Sequence, residues 1–211
     1  MAVSLRQVAY DYIKAKIVSC QYAPNEFINE GMVIDAIKVS RTPVREALRQ
    51  LEHEGLVRIL PKKGVMVTDV SIGDINSVYE ARILIEPYIL RTWVADVDVE
   101  VMLSLRRKFE ARHDASELFD LDDTLHGAIY NACPNRYLVQ ALTEGYVMNM
   151  RLHVLAGSLP ERQEQSNAEH GQIIDAILNR DGEAAAVAMT NHLTNARTAA
   201  FEQFFRRSEV R

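Results

Sequence analysis

Four residues in the second half of the chain have the types and spacing of metal ligands. Asp122 and His126 are four apart in LDDTLHGAIY, so on a helix they share one face. His170 and His192 follow, each in a later helical stretch. Ligands from facing helices of a bundle can converge on one interior ion. Carboxylate and imidazole together suit a divalent ion such as zinc, nickel, manganese or iron. Asp123 competes with Asp122, but the i,i+4 spacing favours Asp122. On spacing alone the pair more often describes an ordinary helix-surface contact, and both readings stay open at this point.

A second constellation reads SRTPVREALRQLEHEGLVR over residues 40–58. Arg41, Arg45 and Arg49 recur every four residues. On a helix they form an edge roughly a quarter turn from the apolar seam of Val44, Leu48 and Leu51. Such a helix can pack by its seam while its arginines address guanine O6/N7 or phosphate with a two-pronged fork. The free N–H groups at its start, helped by the Thr42 hydroxyl, can take a phosphate oxygen. Downstream, Lys62-Lys63-Gly64 puts two charges at a turn, suited to backbone phosphates or the minor groove. The alternative is a solvated edge ion-paired to Glu46 and Glu52. The order of helix, turn, basic helix and basic hairpin favours DNA.

These residues need elements to hold them. Leu5, Val8, Ala9, Tyr12, Ile13 and Ile17 have amphipathic helical spacing, which Pro24-Asn25 ends. Met32, Val33, Ala36 and Ile37 give a second helix, followed by a turn at Lys38-Val39-Ser40. A third helix runs to about His53, with Thr42 as N-cap, Pro43 in its first position and Gly55 past its end. LVRIL, PKKG and VMVTDV read as a β-hairpin with a four-residue turn. From Ser71 the pattern is helical, near 72–95, 98–113, 115–133, 136–156, 160–180 and 182–207. Pro87 should split or kink the first of these, and Asn135 should cap the fourth. Asp114, the stretch 157–160 and Asp181-Gly182 separate the others. The expected fold is mainly α: a winged helix-turn-helix with a small hairpin over 1–70, then an antiparallel helical bundle over 71–211.

Composition narrows the partners. Residues 1–70 carry ten Lys/Arg against eight Asp/Glu, and residues 71–211 carry fourteen against twenty-one. The basic edge is therefore local in a chain of net charge −5. No apolar run reaches the roughly 18 residues of a membrane span, and no signal peptide opens the chain. Two separated cysteines, Cys20 and Cys133, fit a reducing cytoplasm. His53, His113 and His153 have helix-end or core readings, and Met148 and Met150 read as core filler.

The stretch SRTPVREALRQLEHEGLV, with its Lys-Gly hairpin, resembles the N-terminal winged helix-turn-helix of GntR-family transcriptional regulators over about residues 4–70. Lys38 stands where the family commonly has glycine, and a left-handed backbone there would cost about 1 kcal/mol. Asn25 replaces the glycine of the usual Pro-Gly and tolerates the same backbone. LDDTLHGAIYNACPNRYL and AEHGQIIDAILNRDGEAAAVAMTNHL resemble the FCD ligand-binding domain of the FadR subfamily, over about 72–207. In that domain's metal-binding branch one Asp and three His hold a divalent ion. The matching positions here are Asp122, His126, His170 and His192, with Leu125 in place of a usual Phe.

The resemblance implies a small carboxylate effector at the metal's remaining positions. Arg82, in SVYEARILIEP, stands where the family often has an arginine that pairs with it; its other reading is an exposed partner of Glu86. Arg151 is a second candidate. The expectation is a cytoplasmic, homodimeric repressor that binds palindromic double-stranded operator DNA and no membrane. The rival is a helical metalloenzyme acting on small acids, against which no base or nucleophile motif accompanies the ligands. A metal-stabilised scaffold is the third reading.

Overall fold

The computed structural model describes residues 4–110, 115–156 and 160–209, and these form two compact units. The first comprises residues up to 71 together with 150–155; the second comprises 72–149 and 156 onward.

The first unit is built from α1 (Leu5–Val18), β1 (Phe27–Ile28), α2 (Glu30–Ile37), α3 (Arg41–His53), β2 (Val57–Leu60) and β3 (Gly64–Val67). The Ser4 hydroxyl caps α1 by accepting from the Gln7 N–H at 3.1 Å. Asn29 caps α2 by accepting from Gly31 and Met32 at 3.0 and 3.2 Å. The apolar seam of α3 (Val44, Ala47, Leu48 and Leu51) is buried with Ala9, Ile13 and Ile17 of α1 and Val33 of α2. The Glu54 carboxylate accepts from Tyr10 and Lys14 of α1, tying that helix to the end of α3.

Three local expectations need correction. Helix α3 starts at Arg41 with Ser40 as its N-cap, so Thr42 does not cap it and Pro43 is its third residue. The first four N–H groups of a helix have no internal acceptor, so proline costs little there either. Gly64 is the first residue of β3, paired with Leu60, so the hairpin turn is one residue tighter than expected. The Lys63 N–H closes it onto the Leu60 carbonyl at 3.0 Å, with Lys62 at φ 63°. Finally, the hairpin gains a partner: β1 pairs with β3, giving an antiparallel sheet in the order β1-β3-β2. A two-residue strand has no readable alternation. Lys38 does adopt the left-handed backbone, at φ 54° and ψ 42°, and so does Asn25, at φ 66°.

The second unit contains α4 (Ile72–Trp93), a single 3-10 turn (Val94–Asp96), α5 (Val99–Phe109), α6 (Ala115–Asn131), α7 (Arg136–Ala156, whose 150–155 segment belongs to the first unit), α8 (Pro160–Leu178) and α9 (Gly182–Glu209). Its core includes Ile89, Leu90, Met102, Leu105, Leu125, Ile129, Ile173, Ile177, Met189 and Leu193. Helix α4 runs unbroken through the buried Pro87, so the expected split does not occur. A long helix embedded by packing tolerates the loss of one backbone bond. Asn135 does cap α7, accepting from the Tyr137 N–H at 3.1 Å. Arg180 ends α8 in the left-handed conformation, and its guanidinium donates to the carbonyls of Val94 and Ala95 at 2.8 and 2.7 Å. The breaks expected at Asp114 and 157–159, His113 and the His153 side chain lie outside the described residues.

Candidate metal centre and basic helix edge

Three helices bring the four metal-type residues together: α6 carries Asp122 and His126, α8 carries His170 and α9 carries His192. One ligand atom from each lies within 4.8 Å of all the others. The three histidines are buried and Asp122 is partly so. Asp122 Oδ1 stands 3.0 Å from His170 Nε2 and 3.7 Å from His126 Nε2. Helix packing sets this convergence. Leu125 and Ile129 turn α6 to the core, Ile173, Ile174 and Ile177 turn α8, and Met189 and Leu193 turn α9. The His170 ring also packs on Phe109, with centroids 4.8 Å apart.

Two of the imidazoles are held from behind. His126 Nδ1 lies 2.6 Å from Glu86 Oε2, and His192 Nδ1 lies 2.9 Å from Glu169 Oε2. A neutral ring donating Nδ1–H to a carboxylate presents the Nε2 lone pair to the centre, the usual outer support of a metal-binding histidine. Both glutamates are themselves anchored. Glu86 Oε1 accepts from Arg82 Nε at 2.6 Å and from Tyr130 Oη at 2.8 Å. Glu169 accepts from Arg162 Nη2 at 3.0 Å and from Asn195 Nδ2 at 2.7 Å.

The electrostatics follow from these partners. Burial would raise the Glu86 pKa, but Arg82 and His126 outweigh it and hold it down to about 2. Burial likewise opposes ionisation of Glu169, yet bonds from His192, Asn195 and Arg162 lower it to about 2. Burial also disfavours the Asp122 carboxylate, but His126 and His170 keep it well below the usual range. His126, despite burial, is raised by Glu86 and Asp122 to about 9. His192 is pushed down to about 3 by burial and by His170. The donor set fits a cation. His126 Nε2 and both His170 nitrogens are buried without an aligned hydrogen bond. Without an ion, the proton that Glu86 and Asp122 hold on His126 supplies the positive charge among these groups, and a metal ion would have to displace it.

Both arginines named as effector candidates are buried. Arg82 does pair with Glu86, but it is buried rather than exposed, and its Nη1 also donates to Asn149 at 3.1 Å. Arg151 is buried as well. It lies in the 150–155 segment of the first unit, and its Nη2 donates to the Thr68 carbonyl at 2.6 Å. Sequence reasoning missed Glu86 as a support. The signal was there, because the buried face of α4 runs Ile75, Tyr79, Arg82, Glu86 and Ile89, and an ionic pair on such a face requires a polar partner. Glu169 and Arg162 carried a weaker sign: they are seven apart, two turns along one face of α8.

In the first unit, Arg41, Thr42, Arg45 and Arg49 are all exposed on α3 while its seam is buried. Arg45 Nε lies 3.2 Å from Glu30 Oε2, an exposed pair of small energetic weight. Lys62, Lys63 and Gly64 are exposed at the hairpin turn.

This architecture has known counterparts. The FCD domain profile matches residues 77–195, and the profile of bacterial regulatory proteins of the gntR family matches residues 5–67. The chain is 25% identical over 193 residues to the uncharacterized HTH-type transcriptional regulator YdhC of Bacillus subtilis, covering 88% of this chain and 86% of that one. It is 27% identical over 195 residues to the HTH-type transcriptional repressor RspR of Escherichia coli, covering 90% and 86%. A GntR transcriptional regulator from Rhodococcus sp. RHA1 shares the fold at TM-score 0.81 and 18% identity, over 95% of this chain and 99% of that one. No helix among the described residues is long and apolar enough to cross a membrane. A gntR-type winged helix-turn-helix followed by an FCD domain makes this chain a DNA-binding transcriptional regulator of the GntR family, of FadR-type architecture, and not an enzyme.

Proposed function

We propose that the chain is an operator-binding repressor whose DNA affinity is set by a small carboxylate bound at a divalent metal in the FCD domain. The observation that carries this reading is the convergence of Asp122, His126, His170 and His192, two of whose rings are oriented by ionised glutamates. Zinc is the first choice of ion; nickel, manganese and iron suit the same donors. When bound, the ion supplies a Lewis-acid anchor for the acid's carboxylate. The repressor sign rests on the name of RspR.

Residues 1–70 read the DNA and residues 71–211 sense and dimerise. Arg45 and Arg49 address bases, while Arg41, Thr42, Lys62, Lys63 and the Gly64 backbone address phosphates. A homodimer presents this surface twice to a palindromic operator, because one small reading head gives limited affinity. Work on DNA places the protein in the cytoplasm. The test combines two measurements. Elemental analysis of protein purified without chelator should find about one divalent ion per chain, lost in His170→Ala. Arg45→Ala should weaken operator binding by about 1–3 kcal/mol in a gel-shift titration. No metal, with none taken up on addition, ends the sensor reading; unchanged operator affinity ends the reading of α3.

A further inference from the structure

Among the described residues, five that are not glycine hold a left-handed backbone: Cys20, Asn25, Lys38, Lys62 and Arg180. This conformation crowds a Cβ and persists only where something compensates for it. Asparagine is one of the side chains that adopt it readily. Cys20 and Arg180 turn their side chains back onto the chain. The Cys20 Sγ lies 3.9 Å from the Val18 carbonyl oxygen, and Arg180 Nη1 donates to the carbonyls of Val94 and Ala95. The two lysines differ from these. Both are exposed, and neither ammonium has a partner among the described residues, not even Lys38 with Asp35 one turn back on α2. A glycine would make either turn without strain. Lys62 lies at the hairpin tip, among the groups assigned to phosphates. Lys38 has had no role.

We propose that Lys38 is a further DNA contact, its ammonium pairing with a backbone phosphate next to the N-terminal end of α3. Its place in the chain fits. Lys38 is the C-cap of α2, at φ 54° and ψ 42°, and Ser40 is the N-cap of α3. Between them Val39 is buried, which pins the turn to the core. Three residues of extended chain span at most about 11 Å, so the Lys38 backbone stays within that distance of Arg41. An ammonium is a compact charge that pairs with phosphate without demanding a base edge. Lys38 therefore adds affinity and salt dependence but no sequence preference. The strained turn is offset in the complex, where the side chain finds the partner that the chain itself does not supply. The inference rests on α3 as the reading helix and adds one residue to its surface.

The test uses the full chain and a fluorescent duplex enriched from a random-sequence pool by the wild-type protein, with a scrambled duplex beside it. Lys38→Gly should unfold at the same urea concentration as wild type or a higher one, so that weaker binding is not weaker folding. Its affinity should fall at least about threefold on both duplexes alike. The slope of log affinity against log salt should become shallower by about 0.9 for each reading head, one phosphate contact's share. Lys38→Asn, which suits the same backbone, should match Lys38→Gly, and Lys38→Arg should restore the wild-type slope. An unchanged slope in both neutral variants overturns the proposal; if Arg45→Ala still loses binding, the reading of α3 stands without it. A loss confined to the enriched duplex also overturns it, since Lys38 would then read sequence. So does a lower urea midpoint in Lys38→Gly, which would give the side chain a partner inside the fold. Full binding by Arg45→Ala as well removes the underlying reading and the proposal with it.

Discussion

At the scale of single residues, the charged groups behind the histidines decide how the centre responds to pH. Glu169 ionises more readily in the folded chain than in the unfolded one, through its bonds to His192, Asn195 and Arg162. A carboxylate with a lowered folded pKa contributes stability above its unfolded value and loses it as pH falls through the folded one. For Glu169 the window runs from 4.5 down to about 2. In metal-free protein, Glu169→Gln should therefore give a shallower fall of melting temperature with pH across this window, measured by circular dichroism. A slope identical to wild type would show that the carboxylate is not held as its contacts indicate. The residue scale is also where sequence reading was most uneven. Asp122 and His126 were legible because i,i+4 spacing is local. Arg82 was legible as a partner of Glu86 but not as a buried one, because burial depends on what α4 packs against.

Among the elements, boundaries followed from local chemistry. Asn29, Asp98 and Asn135 each accept from N–H groups in the first turn of the helix they precede, the job their side chains suit. The exception at α3 shows the limit: Ser40, Thr42 and Pro43 are all acceptable near a helix start, and tertiary packing of Val44 and Ala47 selected the frame. The contact between α4 and α9 gives a sharper case. A Cβ on Gly182 would meet the Leu90 carbonyl oxygen at 2.8 Å and that of Arg91 at 3.2 Å. Those are backbone atoms that cannot swing aside. Gly182→Ala should destabilise the protein by about 1–3 kcal/mol, the range for overpacking, seen as a lower midpoint in urea with an unchanged m-value. Asp181-Gly182 is readable in sequence only as a break between helices; the close approach that requires glycine is not.

For the whole molecule, metal binding and folding of the second unit should be linked. An ion bound only by the folded state adds about 2.7 kcal/mol when present at 100 times its dissociation constant. Calorimetry before and after chelator treatment should show the transition of the second unit moving down by several degrees, and metal addition should restore it. A thermogram unchanged by chelator would mean that the four side chains do not hold an ion. The first unit contains none of these ligands, so its own transition should keep its midpoint.

By itself the sequence determined the mainly helical class, the change of character near residue 70, the buried seam and exposed basic edge of α3, and the four metal-type residues. Each of these is a matter of local periodicity or of side-chain chemistry, which a chain carries wherever it folds. Only the tertiary structure decided that three helices bring those four side chains within 4.8 Å of one another, and that Glu86 and Glu169 orient two of the rings. It also directed Arg151 to Thr68. The reason is physical. Spacing along one helix fixes which residues share a face, but the register between helices is set by how their apolar faces interlock, and that is a property of the packed core.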